Sequence, residues 1–349
     1  MPKKNFYINE SEMDDYQRQI INKKSDRSFI VTGCAGSGKS VLALWRYHDI
    51  VKKNEGTVQI IVFTTTLKDY FIEGCQGIGL NTDCIFHKKE WEKHPYSSDF
   101  ILVDEAQDFS EADIRYFMQC ANKALLLYGD SSQQLYGWLE KKGEAPRVDM
   151  DQIHGITSYP IEPLVFNHRL PKTIAKVAER VMPEEDSLAE RCRNEGYEKP
   201  FLLKCDSLEK QIEQVGQIIK SRGFQDVGIL LPRNEDVERV ASMLQKQGLT
   251  IEAKYTKNNS TVSNLRFSTS NPKVMTYHSA KGLQFEAVFL PNCHASSLGA
   301  FTGPLYVAMT RTYQSLYILY SETLPVQLQP LVNTDLVETS LITRETELL

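Results

Sequence analysis

The chain has 349 residues, of which 41% are hydrophobic and 24% charged, and its formal net charge is −5 at pH 7. These values are typical of a globular protein with room for two domains, and the charge alone does not indicate a nucleic-acid partner, although it says little about any one groove. The seven cysteines include no C-x-x-C pair, which favours free thiols in the cytoplasm and argues against a structural zinc. No apolar run approaches the ~20 residues that a bilayer requires, so we expect no membrane partner.

The first strong motif is a phosphate-binding loop, because residues 33–40 fit the pattern G-x-x-x-x-G-K-[ST]. A β-branched and aromatic run at 28–32 predicts a buried parallel strand before it, and apolar residues at helical spacing predict a helix over 39–53. That order aims backbone N–H groups and a positive helix end at a polyphosphate. Lys39 is expected to reach the outer phosphates and Ser40 to bind Mg²⁺. The predicted nucleotide contacts are Gly33, Cys34, Ala35, Gly36, Ser37, Gly38, Lys39 and Ser40.

Two weaker signals flank this loop. Residues 9–24 predict an opening helix with Ser11 as its N-cap, and Gln17 on that helix either pairs with an adenine edge or faces solvent. After a strand at 58–63, the hydroxyls of Thr64 and Thr65 either meet a nucleic-acid backbone or cap the next helix. Residues 72–98 predict a small insertion.

Two acids follow the apolar run 100–103, which places both carboxylates at the carboxyl end of a strand beside the phosphate loop. Asp104 is expected to hold Mg²⁺ through water, and Glu105 to polarise the attacking water. The alternative is a helix start with acids in its first turn.

A further strand at 124–128 ends in a polar turn at 129–133, which can carry a side chain that senses a terminal phosphate. Tyr136 and Trp138 follow, and they either stack on a base or belong to the core. The loop-like composition of 140–163 predicts a linker, which gives an N-terminal domain at 1–160, a second domain at 161–325 and a tail at 326–349. The second domain alternates strands with helices, which predicts another parallel α/β sheet without a phosphate loop of its own.

In this order the motifs resemble those of superfamily 1 helicases of the UvrD/Rep type, over nearly the whole chain. The resemblance is carried by Gln17 and by residues 33–40, 64–66, 103–108, 129–133, 167–169, 276–283 and 306–311.

The resemblance implies an α/β fold of two RecA-like P-loop NTPase-type domains with parallel sheets and an ATP cleft between them. It implies that Gln17 reads adenine, that Gln133 senses the γ-phosphate, that Arg169 and Arg311 act as arginine fingers, and that Gln284 bonds the ribose. It implies a path for single-stranded nucleic acid along Thr64, Thr65, Trp138, Thr276 and His278.

The chain departs from the family pattern at several positions. His168 stands where the family often has an adenine-stacking Tyr, and Gln284 stands for a Glu. Residues 139–141 replace the usual Arg-Gly-Ala. The large insertion of the second domain has no room between Arg169 and Val274, so the chain is close to a bare motor.

The leading hypothesis is therefore an ATP- and Mg²⁺-dependent single-stranded DNA translocase or helicase, with 3′→5′ polarity taken from the resemblance and ATP-driven domain closure. An ATP-switched regulatory subunit of a nuclease or anti-phage complex is the second hypothesis, suggested by the missing insertions. An RNA-directed ATPase is the third.

Overall fold

The computed structural model describes residues 9–93, 95–133, 143–183, 187–258, 260–298 and 303–341. Its contacts divide the chain into two compact units, one within Lys4–His168 and the other within Arg169–Leu349. Within the described residues, no helix is both long and apolar enough to span a bilayer.

The first unit is built on a six-stranded sheet in which every neighbouring pair is parallel, in the order β3-β2-β4-β5-β1-β6. The strands are β1 Phe29–Gly33, β2 Val58–Val62, β3 Ile85–His87, β4 Ser98–Val103, β5 Ala121–Gly129 and β6 Ile161–Leu164. The helices are α1 Asp15–Ile21, α2 Lys39–Lys53, α3 Thr65–Gly77, α4 Lys88–Trp91, α5 Glu111–Cys120 and α6 Met150–Thr157. All five residues of β2 are buried, as expected for a parallel strand with both faces covered. Strand, phosphate loop and helix on such a sheet make this unit a RecA-like P-loop fold.

The structure changes three expectations for this unit. The opening helix is shorter than predicted, and its N-cap is Asp14, not Ser11, because Asp14 and Gln17 form a reciprocal capping box. The segment expected as an insertion at 72–98 contributes β3 to the edge of the sheet. The sheet also extends beyond residue 160, where the boundary was expected, because β6 pairs with β1.

The second unit holds a seven-stranded sheet in the order β12-β11-β13-β10-β14-β15-β9, parallel except for the β11–β12 hairpin. Its strands are β9 Phe201–Lys204, β10 Val227–Leu231, β11 Glu252–Lys257, β12 Ser260–Ser263, β13 Lys273–Thr276, β14 Phe285–Leu290 and β15 Thr312–Tyr320. Its helices are α7 Lys172–Val181, α8 Leu188–Arg191, α9 Leu208–Arg222, α10 Asn234–Lys246, α11 Ala295–Leu298 and α12 Gly303–Met309. Two short strands, β7 Asn167–Pro171 and β8 Cys192–Asn194, form a separate pair.

The tail packs against the second unit as far as residue 341. Leu324, Leu328 and Leu331 are buried, and residues Gln329–Asn333 form a 3₁₀ turn. Glu338 then bridges to Phe201 in β9 as a parallel neighbour. The described part of the tail is therefore docked as a turn and an extended segment, not as an α-helix.

Candidate nucleotide site

The phosphate loop lies between β1 and α2. Gly36 and Gly38 have φ values of 81° and 97°, in the left-handed region that glycine adopts without a steric penalty. Lys39 is the first residue of α2, and its Nζ donates to the carbonyl groups of Gly33 at 2.7 Å and Cys34 at 3.0 Å. The lysine cation therefore lies beside the backbone of the loop, at the carboxyl end of β1.

Three consecutive carbonyl groups of the loop, at residues 35–37, accept hydrogen bonds from outside it. The side chain of Asn167 donates to the first, the backbone N–H of His168 donates to the second at 3.1 Å, and the side-chain amide of Gln17 donates to the third at 2.9 Å. A loop whose carbonyl groups are held outward is preorganised to turn its N–H groups toward an anion.

The predicted metal ligands meet one another. Ser40 Oγ donates to Asp104 Oδ2 at 2.6 Å, and Asp104 is almost fully buried at the end of β4. The other oxygen, Asp104 Oδ1, is buried and makes no hydrogen bond to any described residue. Burial first, and then the charge of Glu105, raise the pKa of Asp104 to about 7.

These two oxygens fit a magnesium ion. A hydroxyl and a carboxylate are hard oxygen ligands, and Mg²⁺ usually takes few protein ligands and keeps several waters. Among the residues that the structure describes, no group of three or more His, Cys, Asp and Glu side chains forms a metal cage. The orphaned Oδ1 of Asp104 is the observation that favours an incoming cation here.

Glu105 is connected to Gln133 by a chain of hydrogen bonds through Gln107 and Asp130, and the sequence did not predict these connections. Its backbone is left-handed, with φ 54°, which is uncommon for a residue with a side chain and is typical of functional positions. Gln107 Nε2 donates to Glu105 Oε2 at 2.5 Å, and Gln107 Oε1 accepts from the backbone N–H of Asp130 at 3.0 Å. Gln133 Nε2 donates in turn to Asp130 Oδ2 at 2.5 Å. The predicted water-polarising and phosphate-sensing residues are thus connected through Asp130.

The helix-start alternative is also partly visible, because a 3₁₀ turn, Ala106–Asp108, begins directly after Glu105. All three residues of that turn belong to the motif block 103–108, but the block did not predict the hydrogen bond between Gln107 and Asp130, the residue after β5.

In the second unit, the two predicted arginine fingers meet at Thr310. Arg169 Nη2 donates to the Thr310 carbonyl group at 2.8 Å. Arg311 Nη2 donates to Thr310 Oγ1 at 3.2 Å, and Arg311 Nε donates to the Val307 carbonyl group at 2.9 Å. Arg311 is almost fully buried. The structure therefore brings the two guanidinium groups together around one residue, and their catalytic role stays a prediction.

The predicted nucleic-acid contacts on the first unit fall into two groups. Thr64 is the N-cap of α3, since its hydroxyl accepts from the Leu67 N–H at 3.1 Å, and the neighbouring Thr65 is exposed. Tyr136 and Trp138 lie outside the described residues. Contacts of these side chains with nucleic acid stay predictions.

On the second unit, Thr276 ends β13 and its hydroxyl accepts from the backbone N–H of Ser279 at 3.2 Å, which shapes the turn that carries His278. Burial, and then the nearby Lys281 cation, lower the pKa of His278, which favours a neutral imidazole. Gln284, the predicted ribose contact, is half-buried after this turn.

Two family models match the chain. A model described as an AAA domain matches residues 12–136, which contain the phosphate loop and both acids of β4. A model described as a UvrD-like helicase C-terminal domain matches residues 273–319, which run from β13 into β15. The matched segments carry most of the motifs described above.

The relatives that match are longer proteins. The mitochondrial ATP-dependent DNA helicase HMI1 of Saccharomyces cerevisiae is 28% identical over 43% of this chain and 24% of its own length. A Mycoplasma pneumoniae protein named "Probable DNA helicase" is 23% identical over 72% of this chain and 48% of its own length. The solved PRRSV helicase is 13% identical, covers 87% of this chain and 54% of its own, and has a TM-score of 0.47.

The match with this chain covers about a quarter of the length of the yeast relative and about half of the length of the Mycoplasma relative. The ordered motifs and the two domain matches show that the chain is similar, in a compact form, to the superfamily 1 helicases of the UvrD/Rep type.

Proposed function

We propose that the chain hydrolyses ATP with Mg²⁺ and uses the energy to move along single-stranded DNA in the 3′→5′ direction, with its two domains closing when ATP binds. The observation that carries the proposal is the hydrogen bond from Ser40 of the phosphate loop to Asp104, which follows β4 and immediately precedes Glu105. The printed names of both curated relatives contain the words DNA helicase, in one case as a probable DNA helicase, and this supports the choice of DNA.

The chemistry proposed for the phosphate loop and the two acids after β4 follows from their contacts. Lys39 and the loop N–H groups would hold the phosphates, while Ser40 and Asp104 would hold Mg²⁺, which supplies charge neutralisation at the phosphate oxygens. Glu105 would accept the proton of the attacking water. The hydrogen bond from Gln107 positions that carboxylate, because it fixes the oxygen that does not take the proton.

Gln133 is assigned to the terminal phosphate by the resemblance, and its side-chain amide donates to the Asp130 carboxylate. The backbone N–H of Asp130 also donates to Gln107, which in turn donates to Glu105. A movement of Gln133 on phosphate release would therefore displace the Glu105 carboxylate through Asp130 and Gln107. Arg169 and Arg311 are assigned to the charge that develops during hydrolysis, and their shared contact with Thr310 would make them respond together.

The test is the ATPase rate measured side by side with single-stranded DNA, with single-stranded RNA and without polymer. We expect DNA to raise the rate severalfold and Lys39→Ala to abolish it. The matched control is Lys52→Ala, an exposed lysine near the far end of the same helix, which should behave as the unchanged protein.

The outcomes separate the alternatives. A rate that DNA leaves unchanged would refute translocation and favour the ATP-switched regulatory subunit, whereas stronger stimulation by RNA would favour an RNA-directed ATPase. Polarity is tested with oligonucleotides that carry a fluorophore at the 3′ or the 5′ end, and arrival of the protein at the 3′ end would contradict the proposed direction.

A further inference from the structure

Two exposed tyrosines lie near β3, the outermost strand of the first sheet. Tyr96 is 50% exposed, and its ring meets that of Phe86 in β3 edge-on, with centroids 6.0 Å apart. Tyr116 on α5 is 42% exposed, and its ring centroid lies 5.3 Å from that of Trp91. Neither tyrosine hydroxyl makes a hydrogen bond to a residue that the structure describes. We call Phe86, Tyr96 and Tyr116 the aromatic patch.

The aromatic patch rests on a rigid base. Trp91 is 2% exposed, and its indole N–H donates to Gln59 Oε1 at 2.5 Å. Gln59 Nε2 donates to the Tyr96 carbonyl group at 2.8 Å, so one buried amide joins the backbone of Tyr96 to the indole beside Tyr116. Phe86 packs against the buried core cluster that contains Trp91. Side chains supported in this way lose little freedom when a partner binds, which favours affinity.

The charges beside the aromatic patch favour an acidic partner. Lys89 and Lys93 are exposed and four positions apart, and neither makes an ion pair with any described residue. Asp83, which precedes β3, is a single exposed acid without an ion pair among the same residues. The acids of α4 and α5 and the residue after α4 are paired with cations of this chain, namely Glu90, Glu92, Glu111 and Asp113.

The backbone of β3 does not invite an added strand, although β3 is the outermost strand. The N–H of Ile85, its first residue, donates to the Thr82 carbonyl group at 3.1 Å. The N–H of His87, its last residue, donates to the Glu90 carboxylate at 3.1 Å. Edge strands with satisfied donors pair poorly with another chain, so recognition here would use side chains.

The aromatic patch is also separate from the predicted nucleic-acid contacts at the end of β2. Gln59, which bonds Tyr96, is the second residue of β2, whereas Thr64 and Thr65 follow its carboxyl end. Five residues at ~3.3 Å each place these positions about 16 Å apart along the strand. The aromatic patch therefore lies toward the amino end of the sheet, opposite the phosphate loop.

We propose that the aromatic patch is a docking site for another protein, whose contacting segment carries an aromatic or aliphatic side chain next to Asp or Glu. Tyrosine is enriched at protein interfaces, because its ring buries apolar area while its hydroxyl bonds the partner. Lys89 and Lys93 would meet the acids of that segment. This docking role does not depend on the proposed motor activity.

The experiment selects random linear peptides, displayed on phage, for binding to the full chain. We expect the enriched peptides to combine an aromatic or aliphatic residue with neighbouring Asp or Glu. Synthetic copies should bind Tyr96→Ala and Tyr116→Ala at least about tenfold more weakly than the unchanged protein. The matched control is Tyr197→Ala, which removes a tyrosine that is 89% exposed on the second unit and should bind the peptides normally.

The charge requirement has its own variant. Selection against the double variant Lys89→Glu with Lys93→Glu should enrich peptides with Lys or Arg in place of Asp or Glu. Both positions are exposed, so this variant keeps the buried core and decides the proposal even if a tyrosine variant does not fold.

Three results would overturn the proposal: no enriched sequence, enriched peptides that are mainly basic, or peptides that bind the tyrosine variants normally. A tenfold loss of single-stranded DNA binding in the double variant would show a nucleic-acid surface instead, which also overturns it. DNA-stimulated ATPase activity should be unchanged in all these variants. If the unchanged protein has no such activity, the proposed function fails while the peptide selections still decide this docking site.

Discussion

Replacing Asp104 by Asn should make the protein more stable above neutral pH while it abolishes Mg²⁺-dependent turnover. Asp104 is buried beside Glu105, and these surroundings raise the pKa of its carboxyl group to about 7. The folded protein therefore holds a proton that the unfolded chain has already lost, between the ordinary carboxyl pKa near 3.8 and pH 7. Stability must then fall as the pH rises through that window.

The size of the effect follows from the two pKa values. With about 3.9 in the unfolded chain and about 7 in the folded one, ionisation of Asp104 removes about 2–3 kcal/mol of unfolding free energy between pH 5 and pH 8. Asn stays neutral throughout and can still accept the hydrogen bond from Ser40. The variant should therefore lack this loss.

The assay is urea unfolding at pH 5 and pH 8 without divalent metal, followed by tryptophan fluorescence. The three tryptophans of the chain, at positions 45, 91 and 138, all precede residue 169 in the sequence, so the signal reports the half of the chain that holds Asp104. Adding Mg²⁺ at pH 8 should restore stability to the unchanged protein and not to the variant, because only a carboxylate gains from the cation.

The matched control is Asp151→Asn, an exposed aspartate of α6 in the same unit. Its difference between pH 5 and pH 8 should equal that of the unchanged protein. If Asp104→Asn shows the same loss of stability as the unchanged protein between these two pH values, then Asp104 is not the buried acid that we describe.

Three further outcomes are expected. Glu105→Gln should retain ATP binding and lose at least about 100-fold in turnover, since the amide cannot take a proton from water; unchanged single-turnover hydrolysis would contradict this. Gly129→Ala should lower the free energy of unfolding by about 1–3 kcal/mol, because a Cβ there would collide with the side chains of Met150 and Gln107, and urea unfolding followed by tryptophan fluorescence measures the loss. Lys273→Met should lower the free energy of unfolding by about 3–5 kcal/mol, because it leaves the buried Glu252 without the cation that lies 3.7 Å away. The double variant Lys273→Met with Glu252→Gln should recover most of that loss, as measured by thermal unfolding followed by circular dichroism.

Local patterns were sufficient to predict the fold class. The phosphate loop and the acids after β4 are contiguous in sequence, and each takes its geometry from the strand before it. Buried parallel strands such as β2 are continuous apolar runs, so they too are visible without tertiary information.

The errors arose where a distant partner decides the structure. Pro160 and Pro163 gave residues 140–163 the composition of a linker, yet Pro163 belongs to β6 at the edge of the sheet, where a missing N–H costs little. The bond from Asn167 to the phosphate loop joins residues 132 positions apart, and no local pattern signals it. Asp14 replaced Ser11 as the N-cap because its partner Gln17 also bonds the loop.

The bridge between the tail and β9 has a practical consequence for anyone trimming this chain. The Leu202 N–H donates to the Glu338 carbonyl group at 2.8 Å, and the Glu338 N–H donates to the Pro200 carbonyl group at 2.9 Å. Truncation before Glu338 would expose unpaired backbone groups of β9, which is the outermost strand of the seven-stranded sheet. Exposed edge strands of this kind can pair with other chains and cause aggregation. Shortened versions intended for crystallisation or spectroscopy should therefore retain the chain through Glu338.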